Sequence, residues 1–68
     1  MELYRWKAKC LTHGNRGGLA GLITIPQGTK VLTDVYSPMA ERITFWVEST
    51  GDELWLPGDE FTRTFERA

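Results

Sequence analysis

Residues 43–56 read Ile43-Thr-Phe-Trp-Val-Glu-Ser-Thr-Gly-Asp-Glu-Leu-Trp-Leu56. Two runs rich in β-branched and aromatic residues flank Ser49-Thr-Gly-Asp52, the pattern of a β-hairpin. Successive side chains on a strand point to opposite faces, so this hairpin carries large apolar groups on both. One face builds a core. In a chain of 68 residues the other is expected to meet a partner, a second copy or a covering segment. Two registers are open. A two- or four-residue loop sets Trp46 opposite Trp55, Phe45 opposite Leu56 and Val47 opposite Leu54, at the expense of facing Glu48 and Glu53. A three-residue loop with left-handed Gly51 sets Trp46 opposite Leu54 and Phe45 opposite Trp55. A one-residue slip exchanges the faces, but neither register removes the apolar surplus.

Outward from the hairpin the chain keeps a strand rhythm. Arg42–Glu48 and Glu53–Leu56 are its two arms. Lys30–Tyr36 reads as a strand with Val31, Thr33 and Val35 on one side and Leu32 and Tyr36 on the other. Leu22–Ile25 is a short strand with Ile23 and Ile25 on one face, joined to it by the tight turn Pro26-Gln-Gly-Thr29. Residues 3–11 alternate: Tyr4, Trp6, Ala8 and Cys10 point to a core while Arg5, Lys7 and Lys9 line the solvent face. Between these strands Thr12–Gly21 holds four glycines in ten residues and reads as a long loop. Ser37-Pro-Met-Ala40 interrupts the pattern, since Pro38 has no donor for a central ladder. After Pro57-Gly58, the acids of Asp59-Glu60-Phe61 suit one helical turn. Phe61 and Phe65 are four apart, as on one helical face, yet Thr62–Phe65 reads equally well as a last short strand. The expected architecture is all-β: one domain over residues 1–68, five strands and one short helical turn near the C-terminus.

Composition bounds the function classes. One cysteine, Cys10, excludes an intrachain disulfide and fits a reducing compartment. One His and one Cys supply too few ligands for a zinc site, and no cofactor is expected. No secretory leader and no apolar run of membrane-spanning length is visible, so a cytoplasmic protein without a membrane partner is expected. The formal net charge of −1 hides an asymmetry. Residues 1–34 set Arg5, Lys7, Lys9, Arg16 and Lys30 against Glu2 and Asp34, net +3; residues 35–68 set three arginines against seven acids, net −4.

Several constellations invite chemistry. Gly14–Gly21 with Arg16 has the composition of an anion cradle, but neither a Gly-Lys-Ser/Thr ending nor a long helix follows. Cys10 and His13 have the residue types of a nucleophile and base; no orienting third group is identifiable, and Cys10 reads better as a small core residue. Asp52-Glu53 and Asp59-Glu60 pair carboxylates at turns, where acids serve solvation and capping. Arg5, Lys7, Lys9 and Arg16 beside aromatic side chains form the alternative site, a nucleic-acid surface, or else lysines that guard a sheet edge. Tyr36, Trp46 and Trp55, with Met39 nearby and Arg42 and Glu48 as a polar rim, have the composition of a protein-docking patch.

The order of a long first loop at Gly14–Gly21, a distal hairpin at Ser49–Asp52 and a helical turn before the last segment resembles an SH3-like barrel. The acidic first loop and aromatic pair that dock proline-rich ligands are missing, so the resemblance does not imply that activity. The ending Leu56-Pro-Gly-Asp-Glu-Phe-Thr-Arg-Thr-Phe-Glu66 is similar to the C-termini of small phage and prophage accessory proteins, which implies action by binding host or viral macromolecules. The expectation is a non-enzymatic interaction module that binds a protein or associates with itself, with nucleic-acid binding as the alternative.

Overall fold

The computed structural model describes residues 3–16, 21–34 and 36–68. Along them run β1 (Tyr4–Ala8), β2 (Thr12–Arg16), β3 (Leu22–Ile25), β4 (Lys30–Thr33), β5 (Ile43–Val47), β6 (Glu53–Leu56), α1 (Gly58–Thr64) and β7 (Phe65–Arg67). The strands form one antiparallel sheet in the order β3-β2-β6-β5-β4-β1-β7. The architecture is mostly antiparallel β with one short helix, in line with the all-β expectation. The five-stranded barrel is corrected: the described residues hold seven strands, and the sheet is open because its edges β3 and β7 do not pair.

Connectivity makes this open sheet curl. Four strand intervals separate β3 from β4, roughly 19 Å across a flat sheet at the usual spacing. The link is only Pro26–Thr29, and it is folded into a turn: Thr29 N–H donates to Pro26 O at 3.2 Å, with Gly28 at φ +89°. Gly28 N–H also donates to Ala8 O and Ala8 N–H to Thr29 O, both at 2.9 Å. The β3 end is thereby drawn back toward β1, and one face of the sheet folds over its own side chains.

That inner face holds Trp6, Ala8, Ile25, Val31, Ile43, Phe45, Val47, Leu54 and Leu56, closed below by Phe61 and Phe65. Phe61 and Phe65 stack at 4.5 Å with ring planes 15° apart, and Trp6 meets Phe61 edge-on at 5.2 Å. The one indole inside the core is satisfied, since Trp6 Nε1 donates to the buried Thr33 Oγ1 at 2.9 Å. The terminal segment is helical through Thr64, so only Phe65 of the expected Thr62–Phe65 strand is extended. A seven-residue helix follows Pro57 with Asp59 and Glu60 in its first turn, and a strand then begins at Phe65. The two phenylalanines therefore meet across a helix-to-strand junction instead of along one helix.

Four local expectations are corrected. The first strand ends at Ala8, leaving Cys10 exposed in a bend and outside the core. The glycine-rich segment is partly strand: Thr12–Arg16 pairs with β3 on one side and β6 on the other. Its Gly14 permits this, because a Cβ there would lie 2.9 Å from Leu54 Cδ1 and 3.1 Å from Phe45 Cζ. Gly17–Ala20 lie outside the described residues. The strand expected over Lys30–Tyr36 is β4 and stops at Thr33, and Val35 is likewise outside the described residues. The hairpin takes neither expected register. Phe45 faces Leu54, Thr44 faces Trp55 and Trp46 faces Glu53, two residues from the first alternative, so the same faces point in and out. The turn is Glu48–Gly51, one residue earlier than Ser49–Asp52; Val47 N–H donates to Asp52 O, and Gly51, at φ +78°, donates to Val47 O at 2.7 Å. Glu48 and Glu53 consequently do not face each other.

Candidate functional site

Strand alternation places Ile43, Phe45, Val47, Leu54 and Leu56 in the core, which sends Thr44, Trp46, Glu53 and Trp55 to the outer face. Both outer tryptophans are half-buried. Each indole is held from the side. The Arg42 guanidinium lies over the Trp55 ring at 3.8 Å from its centroid, a cation–π contact that also covers one ring face. Asn15 Nδ2 donates to Trp55 O at 3.2 Å. Trp46 Nε1 donates to Glu53 Oε1 at 3.1 Å, across the strand pair. The next strand supplies Leu32 opposite Trp46, and beyond it Arg5 opposite Leu32.

Two shallow depressions flank this arrangement. One is bounded by Asp34, Ser37, Ala40, Arg42, Thr44 and Trp46. The other is bounded by Arg42, Thr44, Glu53 and Trp55. They share Arg42 and Thr44, so they adjoin as one surface groove, with Trp46 lining one part, Trp55 the other and Arg42 stacked on Trp55. It offers apolar contact area, one cation and hydrogen-bonding edges.

The expected docking residues divide. Arg42, Trp46 and Trp55 come together. Tyr36 does not join them: its ring packs against Trp6 at 4.6 Å and Phe61 at 6.2 Å on the core side. Its hydroxyl lies 2.9 Å from Thr62 Oγ1. Thr62 itself donates to Gly58 O, so the tyrosine is the donor, and it ties the chain before Pro38 to α1. Glu48 lines neither depression and pairs instead with Arg5 at 3.1 Å. Met39 is 89% exposed in the turn that Ala40 N–H closes onto Ser37 O.

The basic stripe is largely self-neutralised. Arg5 pairs with Glu48, Lys7 with Glu66 at 3.8 Å and Arg16 with Asp52 at 3.9 Å. Exposed pairs of this kind contribute only about 0–1 kcal/mol each, but every one cancels a charge a phosphate would need. Lys9 forms no ion pair among the described residues. Nor do these lysines guard an edge, because β1 lies between β4 and β7. The anion-cradle reading loses an amide as well, since Arg16 N–H is spent on Gly21 O at 3.0 Å. Cys10 and His13 are both exposed. Asp52 accepts from Thr50 Oγ1 and Glu60 pairs with Arg63, so these acids serve turn and helix. No protein-family model, curated protein or solved structure matches this chain. Among the described residues no helix is long and apolar enough to cross a membrane.

Sequence reasoning missed Asn15, Thr44 and Leu32 as members of the site. Thr44 and Leu32 were legible as outward residues by alternation alone. Asn15 was not, because glycines hid the strand that carries it. A lone Gly between Thr12 and Arg16 was the available signal: glycine inside a strand marks close backbone approach.

Proposed function

We propose that this chain is a non-enzymatic, SH3-like interaction module that docks another protein in the groove between Trp46 and Trp55. The observation that carries the reading is the allocation of aromatic side chains. Trp6, Phe45, Phe61 and Phe65 already fill the core, so the two outer indoles are surplus to folding. They are nonetheless held in place, the Trp55 ring by the Arg42 guanidinium and the Trp46 N–H by Glu53, while Asn15 ties the Trp55 backbone to β2. Rigid, amphipathic anchors of this type dominate binding energy in protein interfaces. The SH3-like part of the proposal is supported by element order: a first strand, a hairpin in place of the long loop, three meander strands, a helical turn and a final strand beside the first. The C-terminal likeness to phage and prophage accessory proteins agrees with a protein that works by binding. Nucleic-acid binding is the weaker reading, because Arg5, Lys7 and Arg16 are each met by a carboxylate.

The test is selection of a displayed peptide library on the immobilised protein, followed by titration of the selected peptides. Binders are expected to lose at least about tenfold in affinity when either outer tryptophan becomes Ala, while the far-ultraviolet dichroism of Trp46→Ala and Trp55→Ala stays that of the parent. Binders that tolerate both substitutions would place recognition elsewhere. Loss of folded signal in both variants would return the indoles to the core.

A further inference from the structure

The two edges of the sheet are built differently. At one end β7 carries Glu66 and Arg67, with Arg67 drawn over the Tyr4 and Trp6 rings at 4.6 and 4.8 Å. Charged edges resist pairing with other strands. At the other end β3 is Leu22-Ile-Thr-Ile25, with no charge and two β-branched isoleucines. Among the described residues it pairs only with β2. Leu22 is 66% exposed and Thr24 is exposed.

The ladder fixes which backbone groups of β3 are free. Arg16 N–H bonds Gly21 O, and the register continues Gly14 with Ile23 and Thr12 with Ile25. Hydrogen-bonded pairs alternate along an antiparallel ladder, so Gly21, Ile23 and Ile25 turn their amides toward β2. The N–H and C=O of Leu22 and Thr24 face away from the sheet, and no protein group among the described residues bonds them.

We infer that β3 is a self-pairing edge, through which two copies of this chain join antiparallel about a two-fold axis at Ile23. This contact is independent of the tryptophan groove. The occupant follows from the strand's own symmetry. With Ile23 opposite Ile23 of the second copy, Leu22 faces Thr24 of that copy and Thr24 faces its Leu22. Both outward residues then form hydrogen-bonded pairs, four backbone bonds in all by the antiparallel rule. The exposed leucines are partly covered, and no like charges meet. A strand of four residues buries less than the roughly 1,200 Å² of a standard interface, so the dimer is weak and concentration-dependent. The joined sheets keep their outer faces on one side, since the pleat is continuous across an antiparallel pair.

Sedimentation velocity across a concentration series tests this. The parent is expected to shift from one chain toward two between about 10 µM and 1 mM, as a small interface dictates. Leu22→Lys with Thr24→Lys places lysine opposite lysine at both pairs and should hold the mass at one chain. Leu22→Lys with Thr24→Glu places lysine opposite glutamate at both and should restore the dimer, more so at low salt. Both substituted positions are solvent-exposed with outward backbone, so matching thermal melts are expected for all three proteins. Trp46→Ala should dimerise like the parent. A parent that stays single throughout, or two charge variants with equal masses, overturns the inference.

Discussion

Gly14→Ala probes the strand on which the site depends. A Cβ at residue 14 would sit 2.9 Å from Leu54 Cδ1, 3.0 Å from Leu54 Cβ and 3.1 Å from Phe45 Cζ. Neither neighbour has room to yield, because Leu54 is 1% and Phe45 0% exposed. The Leu54 Cβ also moves only with β6 itself. Forcing a methyl into packing this tight typically costs about 1–3 kcal/mol. Restricting the unfolded chain returns about 0.4–1 kcal/mol of that. The expected net loss is therefore about 1–2 kcal/mol, or roughly 5–15 °C in Tm for a domain of this size. Gly21→Ala is the control: a Cβ there meets nothing within 4 Å and its φ is not left-handed, so only the gain remains. Chemical denaturation of the parent and both variants gives the comparison, with an equal slope expected throughout. A midpoint for Gly14→Ala at or above the parent would refute the close approach of β2 to β6, and with it the placement of Asn15 beside Trp55.

Two further outcomes follow from the same geometry. Thr33→Val removes the acceptor of the buried Trp6 N–H, an unsatisfied donor that should cost about 1–3 kcal/mol by denaturant titration; an unchanged midpoint would mean that the indole has another partner. Arg42→Ala uncovers one face of Trp55. In a Trp46→Phe background, acrylamide should quench the emission more strongly while stability falls by only about 0.5–1 kcal/mol, and unchanged quenching would remove the guanidinium from the ring.

The alternation of Ile43–Val47 and Glu53–Leu56 was readable as a hairpin with two apolar faces, since a period of two needs no knowledge of neighbours. The pairing offset was not readable. Sliding one strand past the other by two residues preserves every face, and the choice was made by where Gly51 takes its left-handed turn and by Glu48 reaching Arg5. The strand at Thr12–Arg16 was hidden for a different reason. Glycine is a poor strand former in isolation, and Gly14 earns its place only when Leu54 and Phe45 fill the space a side chain would take. Tyr36 shows the same limit. Its aromatic character was evident, but its side of the sheet depended on Trp6, Phe61 and Thr62, each at least 25 residues away in the chain.

Local periodicity thus determined by itself that this is a β-rich chain with a surplus of aromatic surface on one hairpin, because alternation and turn chemistry are written over a few adjacent residues. Only the tertiary structure decided which strands stand side by side, which indoles face outward and which edge is left unguarded. Those properties arise from pairings between distant segments, where the space left by one side chain selects the residue opposite it.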